Sequence, residues 1–217
     1  MPESWIFFDV GGVLTDESKY TEWRIDNDLA IIRRWIPGVS REELVGIWGM
    51  ASSLHTGLDE AILAQFLAGA DLAEGLKALK KTKDEAPSYI DQQVVRPEAR
   101  ETLRALSGSH SLGLIANQPG AIREKLGAAG LLECLSYDRV SEDVGLSKPD
   151  SAYFRKVFEQ TGADPRTSWM VDDNVERGLL PAKALGMTTV WYPSAPQPAP
   201  EGVNYVIASL NEVAGLV

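Results

Sequence analysis

The chain has 217 residues, 44% of them hydrophobic and 24% charged, with 21 basic against 31 acidic side chains and a formal net charge of −10. That composition belongs to an ordinary globular protein long enough to bury a core without staples. The acidic balance, with no run of Lys and Arg, offers no electrostatic footprint for nucleic acid or for an anionic membrane surface. One cysteine, Cys134, and two histidines, His55 and His110, allow neither an internal disulfide nor a zinc site of the usual spacing. A reducing, cytoplasmic setting is the expectation.

Residues 5–9 form a short apolar run that stops at Asp9 and turns through Val10-Gly11-Gly12-Val13, the pattern of a buried parallel strand. No basic region precedes it, so it does not read as a secretion signal. No stretch approaches the roughly 18 apolar residues needed to cross a bilayer. From about Asp16 to Gln93 the chain reads as helical. Ser40 and Glu43 form a capping box ahead of Leu44, Ile47 and Trp48, and Leu58, Ile62 and Phe66 recur at four-residue spacing. Arg96-Pro97-Glu98 then marks a new helix start, with Ala99, Leu103 and Leu106 on one face.

Beyond this point strands and helices alternate. Strands are predicted at 112–116, 134–140, 169–172 and 187–192, with helices before Gly130, at 151–162 and at 175–186. Alternation at this spacing predicts a parallel sheet covered by helices on both faces. A Pro-rich connector at 193–200 leads to a last strand at 203–207 and a short closing helix. The expected fold is α/β: a Rossmann-like doubly wound core of residues 1–15 and 94–217, interrupted by an α-helical insertion at 16–93.

In open parallel sheets ligands bind beyond the carboxyl ends of the strands. Four segments qualify: Asp9, Ala116-Asn117-Gln118, Ser147-Lys148-Pro149-Asp150 and Asp172-Asp173-Asn174. A carboxylate can act as a covalent nucleophile if its repulsion with an anionic substrate is offset by a cation and an ammonium group. Asp9 and Asp173, with a backbone carbonyl and waters, would make the oxygen-rich octahedral site that Mg²⁺ prefers, and Lys148 would bridge nucleophile and substrate.

Phe7-Phe8-Asp9-Val10-Gly11-Gly12-Val13-Leu14-Thr15, Leu114-Ile115-Ala116-Asn117, Ser147-Lys148-Pro149-Asp150 and Met170-Val171-Asp172-Asp173-Asn174 resemble, in order and spacing, the four motifs of the haloacid dehalogenase superfamily. The helical insertion resembles its C1 cap. The resemblance implies that Asp9 attacks phosphorus or carbon, that Lys148 stabilises it, and that Asp9, Asp173 and the carbonyl of Gly11 bind Mg²⁺. Three positions depart from the pattern. Gly11 stands where phosphatases carry a second Asp that acts as acid and base. Ala116 replaces a Ser or Thr. Gly178 falls where a further metal-associated Asp is common, with Asp172 or Glu176 as stand-ins.

The resulting expectation is a Mg²⁺-dependent phosphatase acting on a small phosphorylated metabolite through an aspartyl-phosphate on Asp9, as a monomer or homodimer, with no nucleic acid or membrane partner. A noncatalytic descendant that binds a metabolite or a protein is the alternative. A 2-haloacid dehalogenase using Asp9, motivated by Gly11 and Asn174, comes third. Asn117 and Gln118 are read equally as substrate contacts and as the start of the following helix. Asp173 could instead cap the helix near Val175, and Asp150 reads as the N-cap of the helix after it. His55 is assigned no role, and Trp23, Trp35 and Trp48 are expected to pack cap helices.

Overall fold

Ile6, Phe7 and Phe8 are fully buried, because their strand, β1 (Trp5–Phe8), lies inside a parallel sheet and is covered on both faces. The structure is a computed structural model that describes residues 4–53, 72–84 and 88–217. After β1 come β2 (Thr15–Asp16), α1 (Ser18–Ile32), α2 (Arg41–Ser53), α3 (Leu72–Asp84), α4 (Tyr89–Gln92), β3 (Val94–Val95), α5 (Ala99–Leu106) and β4 (Ser111–Leu114). The chain continues with α6 (Ile122–Ala128), α7 (Ser141–Val144), α8 (Ser151–Thr161), β5 (Trp169–Asp172), α9 (Leu180–Ala184), β6 (Thr188–Trp191) and β7 (Tyr205–Val206). It divides into two units, Met1–Asp16 with Val94–Val217, and Glu17–Gln93. The first unit is left through β2 and re-entered through β3, and these two strands pair antiparallel, Thr15 opposite Val95.

In the first unit the sheet order is β4-β1-β5-β6-β7, all parallel. Phe8 lies beside Leu114 on one neighbour and Val171 on the other, so Asp9, Ile115 and Asp172 are the next residues in line. The ladder continues past the strand, with the Asp9 N–H donating to the Val171 carbonyl at 2.9 Å. Because the chain places β4 on one side of β1 and β5, β6 and β7 on the other, the carboxyl edge of β1 is where this topology opens a crevice. Below the sheet, Phe7, Tyr153, Phe154, Val157, Met170 and Leu179 share one apolar cluster. Helix α5 buries Ala99, Leu103 and Leu106 together with Thr102, whose hydroxyl donates to Asn211 Oδ1 at 2.6 Å.

In the second unit Ile25, Leu29, Ile32, Leu44, Ile47 and Leu79 bring α1, α2 and α3 around one core. The capping box forms as read: the Ser40 N–H donates to Glu43 Oε2 at 2.8 Å and the Glu43 N–H to Ser40 Oγ at 3.2 Å. Trp35 packs against this core, and Trp23 sits 6.0 Å from Tyr20 between ring centroids. His55, Leu58, Ile62, Phe66 and the side chain of Trp48 lie outside the described residues. Among the described residues no helix is long and apolar enough to cross a membrane.

Three local expectations change. Residues 134–140 form no strand; they touch the sheet through a single bridge between Gly113 and Tyr137. The Ser136 and Tyr137 N–H groups both donate to the Leu112 carbonyl, and the chain then leaves the edge because Asp143 accepts the Val140 N–H at 2.9 Å and opens α7. The helix expected at 175–186 starts as a wide π-helical turn, Val175–Leu179, whose cap is Asn174 and not Asp173. The last strand shrinks to two residues, and the closing segment is a 3₁₀ helix, Leu210–Gly215. Asp150 does cap α8, accepting the Ala152 N–H at 2.8 Å.

Asp143 also takes the Arg123 guanidinium with both oxygens, which holds its carboxyl below the ordinary 3.8. A depressed folded pKa contributes stability above the unfolded value and loses it as pH falls. Arg123→Met should therefore cost about 0.5–1 kcal/mol at pH 7. The deficit should be full above about pH 4 and shrink as pH falls further below 3.8, in urea unfolding of both proteins.

Candidate active site

Lys148 is buried with its side chain 3% exposed, and its ammonium lies 2.6 Å from Asp172 Oδ2 and 3.0 Å from Asp9 Oδ1. The register explains the meeting: Asp9 and Asp172 are the residues that follow the paired Phe8 and Val171 on adjacent strands. Asp172 is fully buried, and its Oδ1 accepts the Asn174 N–H at 2.8 Å, so both of its oxygens are engaged. Burial works against the charge on Lys148, but the Asp172 and Asp9 carboxylates outweigh it and raise its pKa above 10.5. The ammonium stays charged. Burial pushes the Asp9 carboxyl up to about 7; Lys148 pulls it down and Asp172 adds to the rise.

Asp173 completes the group. Asp9, Asp172 and Asp173 each offer an oxygen within 4.8 Å of the others. Hard oxygen donors such as Asp9 and Asp173 suit a divalent cation of the Mg²⁺ or Ca²⁺ kind better than a soft metal, while Asp172 is engaged by Lys148 and Asn174. The Asp173 carboxylate rests against Gly12, whose φ is +75°; a Cβ there would stand 2.3 Å from Asp173 Oδ2. Only glycine leaves that carboxylate its place.

Gly178 has a similar cause. A Cβ at this position would lie 1.9 Å from Asp172 Oδ2, so the space for a side chain there is filled by Asp172 itself. Of the two residues considered as stand-ins, Asp172 belongs to the carboxylate group, while Glu176 is exposed and outside it. At Ala116 the missing hydroxyl has a neighbour that sequence reading did not anticipate. The Tyr153 hydroxyl, from α8, accepts the Ala116 N–H at 3.3 Å and donates to the Ala116 carbonyl at 3.2 Å. A tyrosine on the apolar face of a helix that starts three residues after Lys148 was the available signal.

Asn117 and Gln118 do not start a helix, since α6 begins at Ile122. The Asn117 amide spans the Lys148 peptide: its Oδ1 accepts the Lys148 N–H at 2.8 Å and its Nδ2 donates to the Lys148 carbonyl at 2.9 Å. Its place in the fold is therefore to hold the lysine loop. Gln118 is buried, and its backbone exchanges hydrogen bonds with the Ser141 hydroxyl. A shallow hollow of about 450 Å³ opens beside Asn117, Gln118 and Ser147. Gly11 is buried in the turn that carries Asp9 toward Gly12.

A parallel sheet with an acidic group and a buried lysine at its carboxyl edge is an arrangement suited to binding a cation and an anionic ligand together. The family model for haloacid dehalogenase-like hydrolases matches residues 4–186, and the chain belongs to that family. The chain is 30% identical over 125 residues to the pyrimidine 5'-nucleotidase YjjG of Escherichia coli (strain K12), covering 56% of each. It is 33% identical over 121 residues to the phosphoserine phosphatase of Thermus thermophilus, covering 53% of this chain and 46% of that enzyme. These matches span about half the length of either relative. A solved HAD-superfamily hydrolase of subfamily IA from Geobacter sulfurreducens superposes with a TM-score of 0.65 at 25% identity, covering 99% of this chain and 96% of that one.

Gly178→Ala should force Asp172 off its position, costing roughly 1–3 kcal/mol of overpacking. Gly46→Ala, in the middle of α2 with nothing within 4 Å of the added carbon, should instead stabilise by roughly 0.5–1 kcal/mol. Denaturant unfolding of the two variants beside the parent checks the contrast.

Proposed function

We propose that the protein is a Mg²⁺-dependent phosphatase that hydrolyses a small phosphorylated metabolite through an aspartyl-phosphate on Asp9. The observation that carries this reading is the buried ammonium of Lys148 placed 3.0 Å from Asp9 Oδ1 and anchored from behind by Asp172. The side chain of Asp9 is 14% exposed, whereas that of Asp172 has no exposure, so Asp9 is the member of the pair that a substrate can reach. The phosphatase activities carried by the names of the nucleotidase and the phosphoserine phosphatase support the same class of substrate.

In this mechanism an Asp9 oxygen attacks phosphorus and the ester P–O bond breaks, releasing the alcohol. Water then attacks the phosphoryl group, freeing the Asp9 carboxylate and inorganic phosphate. Lys148 opposes the burial that raises the Asp9 carboxyl, favouring its ionised form, and offers positive charge to the phosphoryl oxygens. Asp9, Asp173 and the Gly11 carbonyl are the groups that would hold the ion, and the cluster of hard oxygen donors fits it. When bound, Mg²⁺ supplies neutralisation of the charge on the transferring group. With Gly11 in place of an acid, the leaving alcohol takes its proton from solvent, a loss typically worth roughly 10²–10⁴ in rate for poor leaving groups. In this reading the Glu17–Gln93 unit is a C1 cap that selects the substrate.

Phosphate release from an activated aryl phosphate with Mg²⁺ tests the reading. Asp9→Asn should lower it at least about 10³-fold, since it removes the nucleophile. Equal rates in the two proteins, or halide release from a 2-haloacid in EDTA, would overturn it. Gly11→Asp should raise turnover of alkyl phosphates by about tenfold or more, and of aryl phosphates by less.

A further inference from the structure

The aromatic pair Trp191-Tyr192 at the end of β6 holds the backbone of Asp172-Asp173, Trp191 at Asp173 and Tyr192 at Asp172. The Trp191 indole N–H donates to the Asp173 backbone carbonyl at 2.8 Å. On its other side the Asp173 carboxylate lies against Gly12, and the Gly12 carbonyl accepts from Arg96 Nη2 at 3.0 Å. The Arg96 guanidinium in turn stands over the Tyr192 ring, 4.9 Å from its centroid, while the Arg96 N–H donates to the Leu14 carbonyl at 3.0 Å. Tyr192 closes the circuit, its N–H donating to the Asp172 carbonyl at 3.0 Å.

This arrangement is expensive at one atom. Arg96 Nε is buried and has no hydrogen-bond partner among the described residues. A buried donor left unsatisfied costs about 1–3 kcal/mol. Against that cost, its stacking on Tyr192 and its bond to Gly12 fix the peptide on which Asp173 leans.

We infer that Trp191 and Arg96 are positioning residues for the Asp173 carboxylate, one holding its backbone and the other the glycine surface that bounds it, so that together they set the affinity of the carboxylate group for a divalent cation. The inference rests on the proposed metal-dependent reading. Neither residue was singled out for chemistry by its sequence context, and neither touches the reacting atoms. Partners of this outer kind commonly change metal affinity by about 10- to 100-fold when removed.

The test is calorimetric titration of Mg²⁺ into metal-free protein, with no substrate present. Trp191→Phe keeps the ring packing and removes the donor; Arg96→Met keeps the apolar stem and removes the fork. Each should weaken Mg²⁺ binding about 10-fold or more, and Arg96→Lys should fall between parent and Arg96→Met. A core variant such as Leu106→Ala, chosen to lower the unfolding midpoint at least as much, should leave the Mg²⁺ dissociation constant within twofold. If the parent binds Mg²⁺ and both variants bind it equally well, or if Leu106→Ala weakens it as much, the positioning role is overturned and the phosphatase reading stands. If the parent binds no Mg²⁺, both fall. Should Arg96→Met fail to fold, Arg96→Lys and Trp191→Phe decide by the same comparison.

Discussion

A single buried ammonium group organises the carboxyl edge of this sheet. Lys148 sits between Asp9 and Asp172, and removing it would leave two carboxylates facing one another with little water to screen them. A buried charge is tolerated only when paired and hydrogen-bonded, and each surrounding contact serves that condition. Asn117 clasps the lysine peptide on both sides, Asn174 saturates the far oxygen of Asp172, and Gly178 vacates the space that Asp172 fills. One ammonium does not balance three carboxylates, so an incoming anion calls for the further positive charge of a divalent cation.

The sheet supplies this precision through register. Strand β1 meets both neighbours at Phe8, and one residue further its chain presents a carboxylate beside another carboxylate on β5. A slip of one residue would carry Asp9 out of line with Asp172 and the Lys148 ammonium. The fully buried triplet Ile6-Phe7-Phe8 fits the strand in place, so its packing and the aim of the Asp9 carboxylate are one constraint.

What the sequence made legible was what sits at strand ends. Asp9 and the pair Asp172-Asp173 stand where apolar runs stop, and the physics of parallel sheets directs attention there, while Lys148 stands out by its Lys-Pro-Asp context. Contacts made across the fold were not legible. Asp172 looks like a mere neighbour of Asp173 until the lysine is seen against it, and Gly178 looks like a lost ligand until a Cβ is placed on it. Tyr153, Trp191 and Arg96 carry ordinary packing signatures in one dimension; only the third shows which polar atom each delivers, and to what. The error at 134–140 has a local cause. Its apolar and β-branched residues suit a strand, but one aspartate three residues beyond the run bends the backbone away after a single pairing.

The antiparallel pair β2–β3 has a wider consequence. Because Thr15 stands opposite Val95, everything between the strands departs and returns through an opening one hairpin wide. To the sheet, the segment Glu17–Gln93 is an oversized loop, and closing a loop grows costlier only with the logarithm of its length, by about 0.6 kcal/mol per doubling. That segment can therefore change in length with little penalty to the sheet, while the carboxylates at its edge stay where they are.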